Sequence, residues 1–190
     1  MNFPYKYPEE IPGWFPHGNQ KVLQELIAQR DVRHVVEVGV YCGRATVWFA
    51  SQPRIRAVLA VDTFRGNDEP YLQAEAVKNI TPYMKEIFYQ AVGMFAPSGK
   101  IAVAEMTSQQ AADQIRQSGV LHDLVYIDAS HKYEDVAADL AAWWPLTGKV
   151  LCGDDYEGIA PGVVKAVNEF AKTVPVNLRI GGRFWWAVKP

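Results

Sequence analysis

Cysteine is scarce. Only Cys42 and Cys152 occur in the 190 residues, too few for a disulfide framework and without zinc-type spacing. Each adjoins an apolar run and reads as a buried, inert thiol. Long hydrophobic runs are missing too, since no stretch approaches the roughly 18 apolar residues that span a bilayer. The opening MNFPYKYPEEIPGW lacks the uninterrupted apolar segment of a signal peptide. Nor does either charge dominate: Lys and Arg number 19, Asp and Glu 21, for a net charge of -2. That balance lacks the positive field of a dedicated duplex-DNA binder. These absences predict a reduced, cytoplasmic protein with neither nucleic acid nor a membrane as its partner.

What is present is an ordinary globular mixture, 49% hydrophobic and 21% charged, close to the soluble average. No internal repeat, low-complexity tract or Ser/Gly linker divides residues 1–190, so they read as one domain. Short apolar runs rich in β-branched residues recur at 34–38, 57–61, 101–104, 124–127 and 150–152. Helical periodicity alternates with them over 19–30, 44–51, 108–117, 133–144 and 162–173. Continuous apolar strands suit a parallel sheet covered on both faces. Their alternation with helices predicts a doubly wound, Rossmann-like α/β domain.

Two stretches depart from that rhythm. Between Asp62 and Lys100 lie 37 residues, more than one crossover helix needs. Segments 69–80 and 82–95 read as two helices broken at Thr81-Pro82, so 65–98 is a helical insertion. Residues 1–30 read as an N-terminal cap segment and helix. At the other end, runs 176–180 and 183–188 flank Gly181-Gly182. That is a hairpin signal, and it makes the last strand of a seven-stranded sheet antiparallel.

The first strand–helix junction carries Glu37, Gly39, Tyr41 and Gly43. Two glycines four apart let the backbone turn tightly beyond the carboxyl end of a strand, where ligands of open α/β sheets sit. Asp62, closing the next strand, is placed to accept hydrogen bonds from ribose hydroxyls. A pyrophosphate site prefers Gly-x-Gly-x-x-Gly; here Val40 stands where the second glycine belongs. Glu37 adds a negative charge beside the pocket, which suits a cationic nucleoside ligand better than a dinucleotide.

Acids crowd the second half. Residues 122–157 hold eight Asp or Glu against Lys132 and Lys149. Asp128 ends one strand and Asp154-Asp155 end the next, so parallel pairing would bring the three carboxylates to one edge. Such a cluster must be protonated, solvent-separated or neutralised. Oxygen ligands with room for water and substrate suit Mg²⁺ or Mn²⁺. His131, three residues after Asp128, can accept a hydroxyl proton near neutral pH.

The run Val36-Glu37-Val38-Gly39-Val40-Tyr41-Cys42-Gly43 resembles the first motif of class I S-adenosylmethionine-dependent methyltransferases, in the form found in catechol O-methyltransferases. Asp128-Ala-Ser-His131-Lys-Tyr-Glu-Asp, Gly153-Asp154-Asp155-Tyr156 and the opening Ile11-Pro-Gly-Trp14 are similar to the macrocin and mycinamicin sugar O-methyltransferases and the cephalosporin-hydroxylase-like group. The resemblance spans about residues 11–188. It implies S-adenosylmethionine (SAM) as cofactor, with Glu37, Gly39, Tyr41 and Gly43 around the methionine portion and Asp62 on the ribose. Ser108-Gln109 would contact the adenine, and Asp128 joins both the cofactor and the metal sets. Asp128, Asp154 and Asp155 would hold one divalent cation, and His131 would be the base for methylation of a small hydroxylated substrate.

Ala45 replaces a serine of the catechol enzymes, so a hydrogen bond to the methionine end is either missing or supplied by Thr46. Asp155 replaces their asparagine but agrees with the sugar enzymes. Ser108 could instead cap the helix that follows, and Tyr156 could line the substrate mouth or pack. The aromatic content of 5–18 and 65–98 favours a pocket cover or a homo-oligomer interface. Two alternatives remain at this point, an NAD-dependent oxidoreductase and a non-catalytic nucleoside-binding module.

Overall fold

Strand and helix alternate along the chain as the hydrophobic pattern requires. The computed structural model describes residues 4–66 and 75–190. α1 (His17–Gln29) leads into β1 (His34–Val38), followed by α2 (Arg44–Ser51), β2 (Ala57–Asp62), a short α3 (Glu75–Lys78) and α4 (Met84–Phe95). Then come β3 (Ile101–Glu105), α5 (Ser108–Ser118), β4 (His122–Ile127), α6 (Tyr133–Trp143), β5 (Thr147–Gly153) and α7 (Pro161–Thr173). The hairpin β6 (Leu178–Gly181) and β7 (Phe184–Val188) ends the fold.

The sheet has seven strands in the order β3-β2-β1-β4-β5-β7-β6. β1 to β5 pair in parallel, while β7 runs antiparallel to both β5 and β6. This is the doubly wound, Rossmann-like sheet expected from the alternation of strands and helices, with its last strand antiparallel. Its strand order reverses between β1 and β4, the place where doubly wound sheets open a ligand crevice.

Alternation along the strands sorts the core. Val36, Val38, Val125, Ile127 and Leu151 pack beneath α5, α6 and α7 together with Trp143 and Trp185. Their neighbours Val35, Val58, Leu124, Tyr126, Val150 and Cys152 face α1 and α2. Each fully buried aliphatic side chain of this kind contributes about 1.5–3 kcal/mol. The adjacent tryptophans of β7 divide the same way: Trp185 is buried under α6 and α7, and Trp186 stacks on Phe184 with ring centroids 5.6 Å apart. Both cysteines are buried and unpaired.

Some boundaries differ from the sequence reading. The expected helix over 69–80 is described only from Glu75, and residues 67–74 lie outside the described residues. The second insertion helix begins at Met84, because Thr81–Tyr83 winds into a tighter 3-10 turn around Pro82. The hairpin turn is Gly182-Arg183, one residue later than the glycine pair suggests. Gly181 pairs with Phe184 as the last rung, and Gly182 alone takes the left-handed conformation, with φ +65°. Among the described residues, no helix is long and apolar enough to cross a membrane.

The N-terminal segment crosses the start of α2. Ile11 is fully buried beside Cys42, Val47 and Met84. Arg44 Nη1 donates to the Gly13 carbonyl at 2.7 Å, and its Nη2 donates to the Glu9 carbonyl. Trp14 lies over Tyr41, with centroids 6.2 Å apart.

Candidate active site

A cavity of about 890 Å³ opens at the carboxyl edge of the parallel strands. Gly39, Asp62, Ser108, Asp128, His131 and Arg183 mark its circumference, Trp14 its mouth, and Lys78, Thr81 and Met84 of the insertion one wall.

One half of the cavity is built from backbone. Gly39 has φ +85°, and a side chain there would run into the Asp128 carbonyl and lie 2.7 Å from the Ala129 Cα. The loop can therefore lie this close to the end of β4 only with glycine. Asp62 then holds the loop. Its Oδ2 accepts from the N–H groups of Val40 at 2.8 Å and Tyr41 at 3.1 Å, and its Oδ1 from Phe64 at 2.8 Å. Those bonds stabilise the left-handed conformations of Tyr41 (φ +48°) and Phe64 (φ +53°), sparsely populated conformations that persist only when the surroundings determine them. A carboxylate has about four lone-pair sites, so Asp62 keeps little capacity for a ligand beyond this scaffolding.

Glu37 sits behind that loop, 1% exposed. Burial pushes its carboxyl up to about 8; Thr46 opposes the shift and the Asp62 charge adds to it. Among the described residues, neither Glu37 Oε2 nor Thr46 Oγ1 has a hydrogen-bond partner. A buried acid with an unfilled acceptor on a cavity wall is costly unless a ligand completes it.

The segment after β3 behaves otherwise than expected. Thr107, not Ser108, caps α5 in a reciprocal box with Gln110, at 3.2 and 3.0 Å. Ser108 lines the cavity, where its Oγ accepts from Trp143 Nε1 at 2.8 Å. Gln109 turns away: its amide donates to Asp139 Oδ1 at 2.7 Å, outside the cavity wall. The reason lies in Asp139, buried in α6 and in need of donors. Burial pushes its carboxyl up to about 6, while Ser108 and Gln109 hold it back.

The other half is built from charged side chains. The parallel rung Ile127↔Gly153 sets Asp128 beside Asp154 and Asp155. Burial, then the charges of Asp154 and Asp155, push the Asp128 carboxyl well above its usual range, although Tyr126 Oη donates to it at 3.1 Å. Burial and Asp155 likewise raise Asp154. Asp155 moves the opposite way. Burial works against it, but His131 and Arg183 outweigh burial and lower it. Its backbone is left-handed, φ +61°.

His131 Nε2 lies 2.6 Å from Asp155 Oδ2. An ionised carboxylate only accepts, so Nε2 carries the hydrogen and Nδ1 is the basic nitrogen. Arg183 bridges the acids from the hairpin turn. Its Nε donates to Asp154 Oδ1 at 2.8 Å, its Nη2 to Asp155 Oδ1, and its Nη1 lies 3.2 Å from Glu157 Oε1.

Among the described residues, Asp128, His131 and Asp155 place donor atoms within 4.8 Å of one another. Two carboxylates and an imidazole, one carboxyl lacking a counter-charge, suit a divalent cation. Asp154, expected as the third ligand, is not one of that trio; its Oδ1 accepts from Arg183 Nε.

A family model described as a methyltransferase domain matches residues 36–156. The chain belongs to this methyltransferase family. No curated protein matches it, but solved structures do. One described as a caffeoyl-CoA O-methyltransferase of Staphylococcus aureus has a TM-score of 0.70 at 14% identity, over 96% of this chain and 87% of that one. TomG of Streptomyces achromogenes, an O-methyltransferase of tomaymycin synthesis in complex with SAM, gives 0.64 at 15%, over 94% and 82%. CalS11, a TDP-rhamnose 3'-O-methyltransferase of calicheamicin biosynthesis, gives 0.58 at 17%, over 95% and 84%. At such identities the likeness speaks to the fold.

In this methyltransferase, the cavity brings together Glu37, Gly39, Tyr41, Asp62, Ser108, Asp128, His131, Asp154 and Asp155. Gly43 and Gln109 are outside its wall. Gly43 starts α2 against the ring of Phe88. Tyr156 is a packing residue whose hydroxyl bonds Asn168 at 3.0 Å. Sequence reasoning missed Arg183. Its only signal is register: continuing the antiparallel rung Gly153↔Trp185 by two residues sets Arg183 opposite Asp155.

Proposed function

We propose that the protein transfers the methyl group of S-adenosylmethionine to a hydroxyl of a small molecule, a sugar or natural product, with help from a Mg²⁺ or Mn²⁺ ion. The observation that carries this reading is that one cavity joins a glycine loop backed by an orphaned buried acid, Glu37, to the Asp128–His131–Asp155 cluster. Glu37 and the loop Gly39–Tyr41 would bind the cationic methionine end, Asp62 would keep the loop in shape and face the ribose, and Ser108 would lie by the adenine. The acids at the ends of β4 and β5 would hold the cation. The activities named for TomG and CalS11 support small hydroxylated acceptors.

SAM, when bound, supplies a sulfonium methyl that passes to oxygen and leaves a thioether. A divalent cation, when bound, supplies a positive charge that lowers the pKa of an acceptor hydroxyl. His131 Nδ1 takes the proton released as the O–CH₃ bond forms, and Asp155 fixes the imidazole in the tautomer that can do so. Trp14 and Tyr41 would give the cavity an aromatic wall.

Calorimetric titration of SAM into the full chain, with NAD as control, tests the cofactor. Heat from SAM alone supports the reading; no heat from a folded chain overturns it. Methyl transfer to hydroxylated acceptors that stops with EDTA and returns with Mg²⁺ supports the cation. Undiminished transfer in EDTA overturns that part.

A further inference from the structure

A positive charge already occupies the acids meant for the cation. Both oxygens of Asp155 already have a partner: Oδ1 accepts from Arg183, and Oδ2 meets His131 Nε2 at 2.6 Å. Asp154 Oδ1 accepts from Arg183 Nε at 2.8 Å. An incoming divalent ion therefore meets a seated guanidinium, and like charges at this range repel.

The same side chain has somewhere to go. Arg183 Nη1 is 3.2 Å from Glu157 Oε1, an oxygen that is buried yet receives no hydrogen bond from the described residues. The ion pair thus has unused bonding capacity on its outer side. The Arg183 side chain is 29% exposed. It stands in the hairpin turn beside Gly182, around which there is open space.

We propose that Arg183 is a resident counter-ion that competes with a divalent cation for Asp154 and Asp155 and withdraws onto Glu157 when the cation binds. The inference rests on the cation reading above and adds the residue that governs cation occupancy. With Arg183 in place, the empty site keeps two of its acids paired and the fold stays intact. With Arg183 withdrawn, Asp154 Oδ1 and Asp155 Oδ1 are released to stand with Asp128 as oxygen donors.

The test is calorimetric titration of Mn²⁺ into the full chain without SAM. Arg183→Gln should bind Mn²⁺ about tenfold or more tightly than the unchanged chain, the scale on which outer partners alter metal affinity. Arg183→Lys keeps the charge but loses the fork, and should fall between the two. Unchanged or weaker binding in Arg183→Gln overturns the competition.

If Arg183→Gln is too unstable for calorimetry, melting with and without Mn²⁺ decides: a larger Mn²⁺-induced rise in Tm than in the unchanged chain supports it, an equal or smaller rise overturns it. Glu157→Gln should weaken Mn²⁺ binding, and that weakening should vanish in the Arg183→Gln background; its persistence overturns the withdrawal onto Glu157. Mn²⁺ binding that is equal in all chains sinks the competition alone. Binding in none sinks the cation reading with it, while the SAM titration still reports on the cofactor.

Discussion

Asp123 and Asp128 belong to the same strand segment and have opposite fates. Asp123, near the amino end of β4, accepts from the N–H groups of Arg33 at 2.7 Å and His34 at 3.0 Å and pairs with Lys149 at 2.9 Å. Burial works against its charge, but Lys149 and the two backbone donors outweigh burial and lower its carboxyl. Asp128, just past the other end, has one tyrosine donor and two acidic neighbours, and is raised. The amino edge of the sheet satisfies its acid; the carboxyl edge leaves its acid wanting. Such an unmet need in a cavity is the mark of a site that a ligand completes.

Breaking the carboxyl edge should have the largest effect. His131→Ala should lower methyl transfer by about 10²–10⁴-fold, the usual worth of a positioned base, with little change in thermal unfolding. A variant as active as the unchanged chain in a product assay would remove His131 from the reaction.

The contrast itself is tested by a pair of substitutions. Asp123→Ala strands two backbone donors and removes one of the partners of Lys149, which keeps the Asp31 carbonyl, so denaturant unfolding should show a loss of about 1–3 kcal/mol with transfer per folded molecule retained. Asp128→Asn should do the reverse, losing transfer while stability holds or rises. Equal stability losses in both would erase the distinction between the two edges.

Asp139 gives a smaller effect with a defined pH window. Its folded carboxyl titrates at about 6, above the model-peptide value of 3.8. The stability it allows is therefore fully present below about pH 4 and is lost as pH rises towards 6. Asp139→Asn should be more stable than the unchanged chain by about 3 kcal/mol at pH 8, with the gain gone at pH 4. A gain that does not vary with pH would contradict this.

Glu37 supplies the smallest and most specific effect. Its carboxyl, at about 8 in the empty cavity, is mostly protonated at pH 7. A cationic ligand favours the ionised form, so SAM binding should release protons below pH 8 and tighten with rising pH by at most about tenfold per unit. Calorimetry in two buffers of different ionisation enthalpy measures that release. Glu37→Gln should abolish it, and release that survives the substitution would clear Glu37 of the role.

Legibility followed the range of the interactions. The loop after β1 was readable because strand, glycine, turn and helix are neighbours in sequence, and Asp128 with Asp154-Asp155 because parallel strand ends must align. The place of Asp62 at the end of β2 is readable from the strand pattern, but its bonds to Val40, Tyr41 and Phe64 belong to a loop conformation that no residue pattern displays. Gln109 went astray because a buried partner 30 positions away, Asp139, attracts its amide. Arg183 stayed hidden because its place depends on the hairpin turning at Gly182-Arg183, and a shift of one residue reverses which face a side chain takes.

The position of Arg183 in the chain also bears on synthesis. A nascent polypeptide emerges from its N-terminus, so Asp128, Asp154 and Asp155 are made before the arginine that neutralises two of them. β5, too, has no neighbour on its outer side until β7 arrives antiparallel to it. Docking of the terminal hairpin moves the edge of the sheet from β5 out to β6 and brings Arg183 to the acids through the same pairing.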